Sequence, residues 1–244
     1  MTAKRTAIVT GAGKRVGAAI AEALLGDGWA VVAHVHHAGD DVLPGAVKAV
    51  ADLADPACAE SIFAAARGLP PVSLLINNAA RFAWDGLDDF SAAEFDAHMA
   101  VNARAPALLI ERFAAAHDGA SDALIVNLLD SKLAALNPDY LSYTLSKQAL
   151  AGLTELAARA LAPRGIRVNA LAPALMLRSS GQTEDNFQAM HERNPLGRGV
   201  EPGDVVAAIR YLIGARCVTG QILVIDSGQR FLGLERDLQF LGPA

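Results

Sequence analysis

Short, almost uninterrupted apolar runs alternate with helical patterns from one end of this chain to the other, and that alternation limits the fold more than any other feature. Runs at 6–10, 29–34, 46–51 (the weakest), 72–77, 123–128, 166–171 and 221–226 have the length and composition of strands. Between them, helical patterns run to about residue 27 and over 55–67, 91–117, 140–161 and 201–213, with a bend expected at Pro106 and a stop at Pro163 and Gly165. A strand that is apolar on both faces must be covered on both. The pattern therefore predicts an α/β fold, a Rossmann-type doubly wound parallel sheet of about seven strands with helices on either face. No repeat, low-complexity stretch or linker divides the 244 residues, so residues 1–244 read as a single domain.

Composition narrows the function. A chain of this length buries roughly 70–75% of its unfolded surface and needs no disulfide staples. The two cysteines, Cys58 and Cys217, have no metal-type spacing, and a reducing cytoplasm suits them. The sequence shows no basic-then-apolar leader and no apolar run near the ~18 residues of a membrane span. A net charge of −5 argues against a nucleic-acid-binding surface. The hydrophobic share of 52% and mean hydropathy of +0.28 are high for a monomer, which predicts buried subunit interfaces, although abundant alanine accounts for part of it.

The segment Thr10-Gly-Ala-Gly-Lys-Arg-Val-Gly17 leaves the first strand and opens the first helix. Glycines there let the backbone approach a pyrophosphate at a helix N-terminus; an ordinary chain reversal would also use glycine, but the strand before and helix after favour the nucleotide. Arg15 stands where a third glycine is expected, beside Lys14. NAD sites carry an acid at the end of the second strand for the ribose 2′-hydroxyl. Here that region reads His34-Val-His36-His37, with no carboxylate before Asp40. Basic groups without an acid favour a 2′-phosphate, and so NADP(H). His34 and His36 share one side of a strand and His37 follows, which makes a metal conceivable. No fourth ligand is placed, so the expectation is no metal.

Tyr143 and Lys147 are four residues apart on the helical pattern at 140–161, and so on one face, about 5–6 Å apart at Cβ. An ammonium beside a phenol stabilises phenolate. The spacing predicts a Tyr143 more acidic than its reference value near ~10 and usable as a general acid.

Together these residues resemble the short-chain dehydrogenase/reductase family over about 6–228. Gly11 and Gly17, with Lys14, Arg15 and Val16 between them, match its cofactor turn. Asp52-Leu53 matches its adenine contact, Asn77-Asn78-Ala79-Ala80 its N-N-A-G strand end with Ala for Gly, and Pro173-Ala174 the Pro-Gly after the sixth strand. Asn102 matches the structural asparagine of the catalytic tetrad, and Tyr143 with Lys147 the catalytic pair. Two departures resemble the pteridine reductase branch: Arg15 in place of the central glycine, and Asp130 in place of the serine 13 residues before the tyrosine. In that branch the arginine touches cofactor phosphate and pterin. An H-x-H-R strand end grips the 2′-phosphate, nearly matched by His36 and by His37 in place of the arginine. An aromatic after N-N-A, here Phe82, stacks on the pterin. Arg81 replaces a small polar residue of the branch. The resemblance implies a catalytic set of Tyr143, Lys147, Asp130 and Asn102, a substrate set of Arg15, Phe82, Asp130 and Tyr143, and a homotetramer.

Asp130 is electrostatically awkward, since a carboxylate beside Tyr143 opposes Lys147. Either burial keeps it partly protonated or it accepts a hydrogen bond and relays protons through the tyrosine; capping a loop is the plainer role. Asn102 can equally be a helix-bend residue, Phe82 a core or lid residue, and Trp84 and Phe187 are assigned only to lid or core. Residues 174–199, poorly periodic and polar with Ser179-Ser-Gly181 near their start, read as a substrate lid or a plain loop. The tail at 227–244 holds Arg230, Arg236 and Phe240, and the resemblance implies that it packs across a subunit interface. The leading expectation is an NADPH-dependent reductase of a pterin or dihydropterin C=N bond. The rival is a carbonyl or 3-ketoacyl reductase using the same pair. A non-catalytic NADP-binding sensor is the third, and Tyr143, Lys147 and Asn102 speak against it.

Overall fold

Each apolar run becomes a strand: β1 Thr6–Val9, β2 Ala30–Val35, β3 Val47–Val50, β4 Val72–Asn77, β5 Ala123–Leu128, β6 Ile166–Pro173 and β7 Ile222–Ile225. The computed structural model describes residues 5–119, 122–176, 178 and 183–241. The strands form one sheet in the order β3-β2-β1-β4-β5-β6-β7, with every neighbouring pair parallel. Alternate residues serve opposite faces. Ile8, Leu75, Ile125 and Val168 pack in one core with Ile62, Leu109 and Phe113, while Val9, Ile76 and Val126 pack in the other with Ile20, Leu24, Ile209 and Leu212. The helices that supply these partners are α1 Arg15–Gly26 and α7 Pro202–Gly214 on one face, and α2 Cys58–Ala64, α4 Ala105–Ala116 and α5 Leu141–Leu161 on the other.

The chain winds outward from β1 to β3, then returns to the far side of β1 as β4. That reversal leaves a crevice beyond the carboxyl ends of β1 and β4, where open α/β sheets hold their ligands.

Three elements differ from the sequence expectation. The helix expected over 91–117 begins as α3 Ala92–Met99, widens into a five-residue π turn at Ala100–Arg104, and resumes as α4. The irregularity is centred on Asn102, the other bend residue the sequence offered, and Pro106 follows in the first turn of α4. The helix expected over 55–67 is shortened to α2. The segment read as loop holds α6 Glu184–Glu192, started by Thr183, whose Oγ1 accepts from the Asn186 N–H at 3.2 Å. Only Phe187 and Met190 bury an apolar face there, too few for a periodic signal in sequence. Ser179 and Gly181 lie outside the described residues.

The segment around α6 and the tail are hydrogen-bonded to each other. Asn186 Nδ2 donates to Leu241 O at 2.7 Å, and Gln229 Nε2 donates to Asn194 Oδ1 at 3.1 Å. The tail, with short 3-10 turns at Gln229–Leu232 and Leu238–Phe240, folds back on the crevice of its own chain. Among the described residues no helix is long and apolar enough to cross a membrane.

Candidate active site

At the end of β1 the backbone enters a turn that favours glycine at Gly11 and excludes any Cβ at Gly17. Gly11 has φ +65°, and a Cβ at Gly17 would stand 2.1 Å from Gly11 O and 2.6 Å from Asn78 Nδ2. Thr10 Oγ1 accepts from the N–H groups of Asn78 and Ala79 at 2.9 and 3.0 Å, and Asn78 Nδ2 returns a bond to Thr10 O at 2.8 Å. The turn and the segment after β4 are thus one unit, with Ala80 following it. Lys14, at the N-cap of α1, supplies no side-chain cap, and no acid sits in the first turn. Helix N–H groups at such an end, beside glycines trimmed of Cβ, fit a pyrophosphate. Arg15 occupies its glycine-like position with φ +55°, a left-handed conformation that costs a non-glycine residue about 1–2 kcal/mol. Its Nη2 donates to Arg178 O at 3.4 Å.

The three histidines divide. His34 is buried: the Gly11 N–H donates to its Nδ1 at 3.1 Å, and its Nε2 lies 3.0 Å from Ala51 O. An accepting Nδ1 places the proton on Nε2, and burial holds the pKa below the usual 6.5. His34 is therefore a buried tie between the glycine turn and the chain after β3. His36 and His37 stack at 4.1 Å on the exposed end of β2, with His36 Nε2 3.7 Å from Asp52 Oδ1 and the His37 N–H donating to Asp40 Oδ2 at 2.9 Å. Leu53's side chain belongs to the core, while Asp52 is exposed.

Beyond β5 the catalytic candidates converge. Tyr143, buried on α5, donates its phenolic proton to Asp130 Oδ2 at 2.9 Å, and Asp130 Oδ1 accepts from the Lys132 N–H at 2.9 Å. Lys147 Nζ, also buried, donates to Leu128 O at 2.7 Å and lies 5.7 Å from the centre of the Tyr143 ring. This overturns one expectation. Burial first, then the Asp130 charge and hydrogen bond, push the Tyr143 phenol well above its ordinary 10, and burial pulls Lys147 down to about 8. Helical spacing brings the two residues to one face, but a desolvated phenol bonded to a carboxylate is a weaker acid than a solvated one.

Asn102 sits in the π turn and bonds Arg81 twice, accepting from its N–H at 2.8 Å and donating to its carbonyl at 2.9 Å, and it donates to Ser146 Oγ at 2.9 Å. These contacts make it a positioning residue that fixes the Phe82 loop against α5. Phe82, 46% exposed, packs face-on to Tyr140 at 4.2 Å and edge-on to Tyr143 at 4.7 Å. Arg81 turns aside into a bidentate pair with Glu94 at 2.6 and 2.9 Å. Pro173 ends β6, and Ala174 joins Phe82, Asp130 and Tyr143 in lining one cleft.

Other parts of this site escaped the sequence reading. Tyr140 opens α5 with φ +56°, and the work of a cap falls to Asp85: its Oδ1 accepts from the Ser142 N–H at 3.0 Å and its main-chain O from the Leu141 N–H at 3.1 Å. Buried His98 accepts from the Ala83 N–H at 3.2 Å through Nε2, so Nδ1 donates to Ser142 Oγ at 2.7 Å. The Glu94/His98 spacing on α3 was the one sequence signal for this cluster. Lys132 and Asp237 also line the cleft.

Comparison with known proteins agrees with this geometry. A family model described as enoyl-(acyl carrier protein) reductase matches residues 11–230. L-xylulose reductase of Bos taurus is 34% identical, across 93% of this chain and 96% of that protein. The chain belongs to the short-chain dehydrogenase/reductase family. Carbonyl reductase [NADPH] 2 of Sus scrofa, another relative of this oxidoreductase family, is 32% identical across 91% of this chain and 95% of that protein. Among solved structures, the FolM alternative dihydrofolate reductase 1 of Brucella suis in complex with NADP superposes with a TM-score of 0.87 at 34% identity, covering 97% of this chain and 99% of the other.

Proposed function

We propose that this short-chain oxidoreductase is an NADPH-dependent reductase of a pterin or dihydropterin C=N bond, with Tyr143 as proton donor. The observation that carries the reading is the Tyr143–Asp130 hydrogen bond inside a cleft edged by Phe82. Reduction of either a C=O or a C=N bond takes one proton from the phenol, which must then be refilled. A serine beside the tyrosine assists a carbonyl oxygen at low electrostatic cost, whereas a carboxylate bonded to the phenol suits proton delivery to a basic ring nitrogen.

NADPH, once bound, supplies the hydride. The Gly11–Gly17 turn and the uncapped α1 suit its pyrophosphate, and Lys14, His36 and His37 its 2′-phosphate. Lys147 uses one of its three N–H donors on Leu128 O, which leaves donors for the nicotinamide ribose. The phenol keeps its proton at neutral pH, the state a donor requires. The NADP complex of the 34%-identical FolM protein supports both cofactor and substrate class.

A carbonyl reductase reading with the same Tyr143 and Lys147 is favoured by relatives named L-xylulose reductase and carbonyl reductase. Steady-state NADPH oxidation with dihydrobiopterin, L-xylulose and diacetyl separates the readings. Turnover with dihydrobiopterin supports the first; turnover with the carbonyl compounds alone replaces it with the second; tight NADPH binding without turnover indicates a sensor. The reading includes a cytoplasmic location and a homotetramer; exposed Leu145 and Leu156 on α5 and Tyr211 on α7 support subunit contacts through these helices. Light scattering checks the assembly.

A further inference from the structure

The cleft beside Tyr143 has a polar wall that hydride and proton transfer do not use. Lys132, in the 3-10 turn Ser131–Ala134 right after Asp130, has a side chain only 8% exposed. Its Nζ lies 3.7 Å from Asp237 Oδ2 and donates to Asp139 O. Asp237 comes from the other side of the cleft, on the C-terminal tail. Its position is fixed by other groups: its N–H donates to Asp139 Oδ2 at 2.6 Å, Arg236 pairs with Asp139 at 2.8 Å, and Tyr140 OH donates to Gln239 Oε1 at 2.6 Å. Asp237 Oδ1 accepts from the Gln239 N–H at 3.1 Å, leaving Oδ2 toward Lys132. Both residues line the same cleft as Phe82, Asp130 and Tyr143.

A cationic donor and an anionic acceptor thus stand side by side in a space with an aromatic ring on one wall. Burial lowers the Lys132 pKa and raises that of Asp237, so both charges are poorly solvated and each gains from a polar group on a ligand.

We propose that Lys132 and Asp237 are the specificity-determining pair of this site, reading the edge of a flat heterocycle in which a ring C=O adjoins a ring N–H. The ammonium donates to the carbonyl oxygen, the carboxylate accepts from the N–H, and Phe82 offers its apolar face. The inference rests on the pterin reading above, since a pterin carries this edge with a further amino donor beside it. Diacetyl has neither an N–H nor an O–H for Asp237 and gains nothing from it.

The rival role is mechanical, a latch that only holds the tail down. Asp237→Asn separates the two, because the amide oxygen keeps the bond from the Gln239 N–H. The first measurement is equilibrium binding of pterin, and of lumazine with oxygen for the amino group, to the NADP-loaded protein. The expected result is an affinity for pterin about 10- to 100-fold lower in Asp237→Asn than in the wild type, and a smaller preference for pterin over lumazine. Equal pterin affinity in the two proteins overturns the proposal whether or not pterins turn over. The second measurement compares kcat/KM for dihydrobiopterin and diacetyl. Selective loss for dihydrobiopterin through KM supports the pair; equal loss for both substrates with a lowered Tm assigns the latch. A wild type that binds pterin yet reduces only diacetyl leaves the pair standing and removes the pterin reductase reading.

Discussion

Tyr143 and Asp130 are bonded phenol to carboxylate at 2.9 Å, and the second oxygen of the same carboxylate caps the turn that follows it, accepting from the Lys132 N–H at 2.9 Å. The two roles open to Asp130 from sequence, loop cap and partner of the tyrosine, are filled at once by its two oxygens. The cap fixes the carboxylate, and the carboxylate with burial keeps the proton on Tyr143. Lys147 donates to Leu128 O, and burial and Asp130 outweigh it at the Tyr143 phenol.

Replacing Asp130 with serine removes the charge and the hydrogen bond that raise the phenol, so the Tyr143 pKa moves down toward 10. Turnover of dihydrobiopterin is expected to fall by about 10²–10⁴-fold, the usual range for a lost proton-transfer group, while diacetyl reduction is retained. Tyr143→Phe is expected to lose both by a similar factor. Steady-state rates with the two substrates give the comparison, and unchanged dihydrobiopterin turnover in Asp130→Ser removes the relay.

The buried ammonium sets an alkaline limit. Lys147 loses its proton at about 8, below its ordinary 10.5, because burial disfavours the charged form. The cation is complete below that pH and lost above it. NADPH-dependent reduction is expected to decline as pH rises through about 8, with kcat/KM following the limb. A pH profile that stays level to pH 10, where little ammonium would remain, contradicts the assignment.

Much of this was legible because it is local. The strands, the glycine turn and the Tyr143/Lys147 face follow from residues within one or two turns of each other, where periodicity and backbone sterics decide. What was not legible depends on distant partners. Asp85 caps α5 across 57 residues, His98 meets Ser142 across 44, and Asp237 reaches Asp139 across 98. The same cause reversed the expected shift of Tyr143: helical spacing gave the ammonium its place, but desolvation comes from the whole fold. The sequence offered both Pro106 and Asn102 as places for a bend, and the π turn lies at Asn102, whose bonds to Arg81 and Ser146 sequence alone does not reveal.

Arg15 tests how much backbone strain the cofactor turn sustains. Glycine at this position relieves a φ of +55° but adds freedom to the unfolded chain, so Arg15→Gly is expected to change stability by no more than about 1 kcal/mol. Loss of a guanidinium from the phosphate side is expected to weaken NADPH about 10-fold or more. Denaturant unfolding with NADPH titration checks both. Unchanged affinity assigns the residue to the substrate side alone.

His34 and His98 give the fold an acid weakness. Each is buried with one ring nitrogen accepting from a main-chain N–H, His34 from Gly11 and His98 from Ala83, so protonation deletes a buried bond. Burial lowers both pKa values below the ordinary 6.5, against the milder pull of Glu94 and Asp85 on His98. Because the unfolded chain binds these protons more readily, stability is complete above pH 6.5 and falls as pH drops from there toward the lowered native values. The slope is at most about 1.4 kcal/mol per pH unit for each histidine. In His34→Gln the amide can accept from Gly11 and donate to Ala51 O without a proton to gain. Urea unfolding between pH 7.5 and 5.5 is expected to show a shallower acid limb in that variant, by about one proton's worth. An identical limb in both proteins moves the acid sensitivity elsewhere.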